Sequence, residues 1–335
     1  MRSRQAFTLT EVLVALGIIS LLTGLTIPAV QAAREASRDL SCRNKLRQCV
    51  LANHLHESVH GALPANVLGG WPGMAMAEYR FDRGALSQLL PYIEQTTAAD
   101  RWNPSTYSFD GENGEITSEP IALFLCPSSP WDDRFPFVST RINGPISGKG
   151  AFPSDFAVNA GVVEYIGGSP KLHRDGAIRT VLLRGGFEKG RSFSDIRDGT
   201  SNTVLLWESV GGLKVVRDDV GRVLSLSWYD SFSAGYAIGP LLDGDIRRTI
   251  RLETAATYVG YIQSWAGFRP GTLHVRQSSF GISSSKVNGT NDLGQPFGFH
   301  PHHANFGFVD GSVRPIASST DASVLSSLAT IAETD

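Results

Sequence analysis

The sequence predicts an α+β chain. A long N-terminal helix, membrane-spanning in its first part and amphipathic in its second, packs on an antiparallel β-sheet domain with long loops. Three observations predict it. The stretch Phe7 to Val30, FTLTEVLVALGIISLLTGLTIPAV, carries one charged side chain, Glu11, and at a rise of ~1.5 Å per helical residue it can cross a bilayer core of roughly 30 Å. From Gln31 to Val59 the helical habit continues without Gly or Pro. Beyond Gly61 the signals change to short apolar runs between turn residues, and 35 Gly and 17 Pro with only 19% charged residues suit a turn-rich β domain. The expected divisions are a leader over 1–6, a helix over 7–60 whose membrane span is 7–30, and a β-rich domain over 61–335.

The first element is read from its flanks. Before the apolar run stands MRSRQA. A secretory signal has its small-residue cleavage site after the apolar region, whereas here Ala6 precedes it. Cleavage between Ala6 and Phe7 leaves the helix on the mature protein and makes Glu11 its fifth residue. A carboxylate in a lipid-facing helix costs at least ~2.5 kcal/mol, so Glu11 calls for a partner; the plainer alternative is an ordinary signal anchor with a stray Glu. Pro28 removes one backbone donor and predicts a kink near the interface. Arg2 and Arg4 before the span are balanced by Arg34, Arg38, Arg43, Lys45 and Arg47 after it, so the positive-inside rule leaves the orientation open.

In the second part of the helix, Leu40, Leu46, Val50 and Leu51, with Ala33, Ala36 and Cys49 beside them, approximate an i, i+3, i+4, i+7 stripe. Gly61 and Pro64 end it. Strands are expected at Thr180 to Arg184, Thr203 to Trp207, Leu213 to Arg217, Val223 to Trp228 and Tyr258 to Trp265, with a hairpin loop at Asp218 to Gly221. NFGFVDGSVRPI alternates around Asp310-Gly311, a hairpin signal, and Asp321 can cap a last helix, Ala322 to Ala329.

Composition narrows the partners. With 30 Lys+Arg against 32 Asp+Glu the chain lacks the basic footprint of a nucleic-acid binder. Three cysteines cannot build a four-sulfur zinc site or a disulfide framework. Cys42 and Cys49 lie about 10 Å apart along a helix, too far for one bridge. In an oxidising compartment Cys42 with Cys126 is the preferred pair and Cys49 is left over; a reduced, buried trio is the alternative.

The run RQAFTLTEVLVALGII resembles the processing site of type IV pilins and type II secretion pseudopilins, with Ala6 where that family has Gly. The resemblance implies removal of the leader by a prepilin peptidase, N-methylation of Phe7, and a Glu11 carboxylate that offsets the amino-terminal charge of a neighbouring subunit. It also implies a single-pass protein of the bacterial inner membrane, its N-terminus on the cytoplasmic side and its β domain outside. A proline at the position of Pro28 is similar to pilins as well. The words IPAVQAAREASR, CRNKLRQ with His54 and GALP after it, LLPYIEQ, LFLCPSS, IRDGTSNTVLLWES and FGFHPHHANFGFVDGSVRPI occur in this order. Together they resemble the bacterial family whose C-terminal part is domain of unknown function 1559. Its members typically end in His, nine residues, Asp-Gly, matched by His300 and Asp310-Gly311. That family has Gly-Gly where this chain has His302-His303, and an aliphatic residue where it has Cys49, which supports leaving Cys49 unpaired. No biochemical activity is implied.

Several constellations carry possible chemistry. His56-Glu57-Ser58-Val59-His60 matches HExxH, in which two His hold zinc and Glu acts as base; a solvated helix end before Gly61 accounts for the same residues. His300, His302, His303 and Asp310 are candidate ligands for zinc or nickel; the alternative is a hydrogen-bonded His300 with His302 and His303 in an exposed loop. Asp195 and Asp198 offer oxygen ligands for calcium without EF-hand spacing, and a capped Asp-Gly turn explains them more simply. Trp71, Trp102, Trp131, Trp207, Trp228 and Trp265 include candidates for a sugar-binding platform, although core packing suits most of them. No Ser/His/Asp order, phosphate loop or dinucleotide fingerprint is present.

The expectation is a non-enzymatic, cofactor-free, membrane-anchored subunit of a secretion or surface filament system, with prepilin peptidase and other pilin-like subunits as partners. Its length, well beyond that of major pilins, points to a minor or tip role. The rival is an anchored solute- or polysaccharide-binding module that forms no filament, and a zinc hydrolase is a third reading.

Overall fold

The computed structural model describes residues 8–68, 84–103, 111–129, 140–141, 144–145, 154–166, 169–182, 190–209, 216–217, 223–224, 271–275, 287–288 and 296–332. Helix α1 spans Leu9–His60. At its start the Thr8 hydroxyl accepts from the Glu11 amide at 3.4 Å, and the Glu11 carboxylate accepts from the Thr8 amide at 2.8 Å. This reciprocal box satisfies two donors that the first turn leaves unpaired. The helix runs unbroken through Pro28 and ends at Gly61, whose φ of 64° is the left-handed conformation that glycine adopts without a Cβ penalty.

The two halves of α1 have different surroundings. Between Leu9 and Val30 the large apolar side chains are all exposed, from 46% to 78%. The second half packs through Cys42, Leu46, Cys49, Val50, Asn53 and His56. That face differs from the expected stripe, because Leu40 and Leu51 are exposed together with Ala33 and Ala36. The helix turns toward the sheet a face that includes polar residues with partners, so an apolar count alone misplaces it. Lys45 anchors the same face by donating to the carbonyls of Ala122 and Leu125 at 2.8 Å each.

After α1 come β1 (Asn66–Leu68), a 3₁₀ turn at Ala85–Tyr92, α2 (Thr96–Arg101), α3 (Gly111–Thr117) and a second 3₁₀ turn at Ala122–Phe124. The β-rich region thus opens with helical segments. Leu86, Leu89 and Leu90 join Leu46, Cys49, Val50 and Phe124 in one buried cluster, which explains why LLPYIEQ coils rather than extends. The strands follow as β2 (Thr140–Arg141), β3 (Gly144–Pro145), β4 (Phe156–Ile166), β5 (Ser169–Asp175), β6 (Thr180–Leu182), β7 (Val204–Glu208), β8 (Val216–Arg217), β9 (Val223–Leu224), β10 (Gly271–Val275), β11 (His303–Phe308) and β12 (Val313–Ala317). Helix α4 (Ala322–Ala329) closes the order.

The main sheet runs β10-β4-β7-β11-β12, and β5 also pairs with β4. Its pairs are antiparallel except β10 with β4; β1 and β6 form a separate parallel pair. Along β4, Phe156 and Val158 enter the core beneath α1, while Ala157 joins Trp207 and Phe306 on the opposite face, which α4 covers through Leu325 and Ala329. This is the period-2 alternation of a sheet buried on both sides. Gly307 marks a close approach of α1, because a Cβ there would lie 2.6 Å from Val50 Cγ2. The β11–β12 hairpin turns at Asp310-Gly311, with Gly311 at φ 91°, and the Asp321 carboxylate caps α4 by accepting from the Ser323 amide at 2.8 Å. Ala6, Phe7, the Asp218 to Gly221 loop and the strand expected at Tyr258 to Trp265 lie outside the described residues.

Candidate functional site

Glu35, Asp39 and Cys42 recur at i, i+4 and i+7 on α1 and therefore share one face. That face meets the end of β7 and the segment leading into β11. Glu208, the last residue of β7, is fully buried, and a carboxylate there must be hydrogen-bonded to persist. Its Oε2 accepts from the Asn305 amide at 2.8 Å, and its Oε1 accepts from Asn305 Nδ2 at 3.2 Å and lies 3.2 Å from His300 Nε2. Gly298 admits this carboxylate, since a Cβ there would stand 2.8 Å from Oε2.

His300 is the hub. Its Nδ1 lies 2.9 Å from Glu35 Oε1, and its Nε2 faces both Glu208 and, at 3.7 Å, Asp39 Oδ1. His302 reverses the chain with a φ of 62°, and His303 opens β11 with its ring centre 5.3 Å from that of His300. The Nδ1 of His303 lies 2.9 Å from the Pro301 carbonyl and its Nε2 3.3 Å from Asp39 Oδ1. Asn305 Nδ2 donates to the same Asp39 oxygen at 2.8 Å, and Arg43 pairs with Asp39 from the next turn of α1. Glu35 also accepts from Ser128 at 2.9 Å and pairs with Arg38 at 3.3 Å.

The electrostatics follow these contacts. Burial alone would raise the Glu35 carboxyl, but hydrogen bonds from His300, Ser128 and Arg38 outweigh it and hold it below the usual range. Burial likewise opposes Asp39, and hydrogen bonds from Asn305, Arg43 and His303 bring it below its ordinary value. For His300, burial works against the charged ring, yet Glu208, Glu35 and Asp39 together lift its affinity for a proton. The arrangement clasps the helix to the sheet through positive charge held among three carboxylates.

A disulfide between Cys42 and Cys126 borders this cluster, with Cys126 Sγ 3.8 Å from His300 Nε2. Cys126 is held in turn by its amide, which donates to Asp155 Oδ2 at 2.6 Å. Cys49 is buried and unbridged, and desolvation pushes its thiol far up, which makes it a poor nucleophile.

The residues expected to form a metal cluster separate. His300 and His303 come together with Asp39, whereas His302 is exposed and Asp310 stays in the hairpin turn, accepting from the Ser312 amide at 2.9 Å and pairing with Arg314 at 3.3 Å. The alternative of an exposed His303 is corrected as well, because Asp39 draws its side chain inward. In HExxH, His56 is buried rather than solvated, with Nδ1 2.9 Å from the Ala62 carbonyl where Gly61 turns the chain back, and His60 lies 3.2 Å from the Tyr92 hydroxyl. Among the described residues, neither ring belongs to a convergent set of three ligand atoms. Asp195 closes a capping box with Ser192, and the Asp198 carbonyl accepts from Asn202 Nδ2 at 3.2 Å. Trp102 and Trp207 are core residues; Trp71, Trp131, Trp228 and Trp265 lie outside the described residues. Glu35, Asp39, Glu208 and Asn305 escaped sequence reasoning. The available signal was the 3- and 4-residue spacing by which Glu35 and Asp39 extend the face of Cys42, Leu46, Cys49, Asn53 and His56, and an acid at the end of the fully buried strand VLLWE.

Two family models match the chain. One, described as a protein of unknown function (DUF1559), covers residues 31–323, and the other, the prokaryotic N-terminal methylation motif, covers residues 1–27. No curated protein and no solved structure matches it.

Proposed function

The chain belongs to the DUF1559 family and carries the prokaryotic N-terminal methylation motif of type IV pilin-like proteins, and from that premise we propose that it is a minor or tip subunit of a secretion or surface filament system, without catalytic activity of its own. Prepilin peptidase cuts between Ala6 and Phe7, Phe7 is methylated, and α1 anchors the protein in the bacterial inner membrane with the β domain outside. Neighbouring pilin-like subunits are its partners.

The observation that carries this reading is the state of α1. Its first half is apolar, long enough to cross a membrane and, among the described residues, left uncovered, while its single acid, Glu11, stands at the helix start. A core helix would be covered, and a removable signal would not continue into the packed half of the same helix. The assembly face and the anchor are thus one surface. The Cys42–Cys126 disulfide accords with an oxidising, extracytoplasmic setting for the domain.

The test is the intact mass and N-terminal sequence of the protein taken from its native membrane. The expected start is methylated Phe7. An intact Met1, or a cut after the apolar run, overturns the reading.

A further inference from the structure

We propose that Asp39, His300 and His303 bind a divalent transition-metal ion of the zinc or nickel class, which ties α1 to the edge of the segment leading into β11. The ligand atoms of the three side chains all lie within 4.8 Å of one another. The tautomers are set by what the opposite ring nitrogens face. His303 Nδ1 lies 2.9 Å from the Pro301 carbonyl and His300 Nδ1 2.9 Å from Glu35 Oε1. A carbonyl and a carboxylate have no hydrogen to give, so both Nδ1 atoms carry one. By the same rule the Nε2 atoms facing Glu208 and Asp39 carry protons in the metal-free protein, and an ion that displaces them meets two imidazoles already oriented by outer partners, as metal-bound histidines are.

Those two Nε2 atoms point at an acceptor. They stand 3.3 and 3.7 Å from Asp39 Oδ1, and His300 Nε2 is also 3.2 Å from Glu208 Oε1. Lone pairs facing lone pairs at this range repel unless a positive charge lies among them, either protons or a metal ion. The ring centres stand 5.3 Å apart with planes inclined by 14°, near the roughly 5 Å of two imidazoles on one tetrahedral centre, and ligation requires one ring to turn out of the stack. Glu35, Asp39 and Glu208 exceed the paired Arg38 and Arg43 by one charge, which an imidazolium or a bound cation balances. Asn305 orients the carboxylate through Nδ2. His300 is wholly buried, but the side chains of His303 and Asp39 are 19% and 13% exposed, so the cluster borders solvent. The neighbouring cysteine sulfurs are bonded to each other and supply no thiolate.

The full chain in detergent, stripped with EDTA and dialysed, is titrated with Co2+ and then Zn2+. The expected result is one equivalent of Co2+ with visible ligand-field absorption, lacking the intense near-ultraviolet bands of sulfur ligation, and its displacement by Zn2+. Outer-shell partners alone are worth about 10–100-fold in affinity, so His303→Gly and Asp39→Asn should each weaken binding at least ~100-fold. His302→Gly should leave it unchanged. Near-ultraviolet circular dichroism confirms that each variant is folded. No binding to the folded wild type, equal affinity in both ligand variants, dependence on His302, or sulfur-to-cobalt absorption overturns the proposal.

Discussion

His300 Nδ1 lies 2.9 Å from Glu35 Oε1, a contact that joins residues 265 positions apart and ties the pilin-like helix to the last strands of the domain. Removing the imidazole leaves Glu35, Asp39 and Glu208 facing one another. Deleting one partner of a buried charge cluster typically costs about 3–5 kcal/mol. His300→Ala should therefore lower the urea midpoint by a corresponding amount at unchanged slope, read from the fluorescence of the buried Trp102 and Trp207. A midpoint within error of wild type would show that the carboxylates find other partners.

Gly307 and Val50 meet at the junction between α1 and the sheet. A Cβ on Gly307 would meet Val50 Cγ2 at 2.6 Å and Leu206 Cδ1 at 3.1 Å. Overpacking of this kind costs about 1–3 kcal/mol, so Gly307→Ala should destabilise the domain. Val50→Ala in the same chain should recover at least ~0.5 kcal/mol relative to the sum of the single changes. Additive effects would place the strain elsewhere.

The junction shows what local signals can and cannot deliver. Gly61 as helix stop, Asp310-Gly311 as hairpin turn and Asp321 as cap of α4 each depend on a few adjacent residues, and the sequence exposes them directly. The exposed apolar half of α1 is legible for the same reason. The clasp is not, because Glu35, Glu208 and His300 are brought together by the fold, and no spacing rule connects them. The exposure of Leu40 and Leu51 went unread for a related cause: the packed face admits Asp39 and Cys42, whose partners His303 and Cys126 only the tertiary structure supplies, along with Asn53 and His56, which bond locally to the carbonyls of Cys49 and Ala62. Helical turns at Ala85–Tyr92 and the parallel β10–β4 pair likewise reflect packing rather than propensity.

The disulfide between Cys42 and Cys126 closes a span of 84 residues. In the chain-entropy account a loop of this size is worth roughly 4–5 kcal/mol. The double variant Cys42→Ser, Cys126→Ser should lose about that much in chemical denaturation, and dithiothreitol should produce a similar loss in wild type but none in the variant. Insensitivity of the wild type to the reductant, once thiol counting shows the bridge open, would contradict the entropic account.

Asp310 supplies a pH dependence. Burial would raise its carboxyl, but the Ser312 hydrogen bonds and Arg314 outweigh it and hold it below its ordinary value. A carboxyl depressed by folding contributes stability that is present above its unfolded pKa, about 3.9, and is lost as pH falls through the folded value. Asp310→Asn keeps a residue suited to the turn before Gly311 and removes the titration. The acid-side decline in stability should be shallower in this variant, with little change near neutrality. An unchanged acid limb would mean that the carboxylate is equally favoured in the unfolded chain.

Substitution can separate the capping by Glu11 from the charge pairing between subunits proposed for it. Its carboxylate accepts from the Thr8 amide and hydroxyl at 2.8 Å each, so part of its value lies in starting α1. Gln at this position retains the acceptor that a capping box uses but carries no charge. Glu11→Ala removes both. If charge pairing between subunits drives assembly, cysteine cross-linking between neighbouring helices in the membrane should fall as far in Glu11→Gln as in Glu11→Ala. If capping is the whole contribution, Glu11→Gln should cross-link like wild type, and the charge would have no part in bringing subunits together.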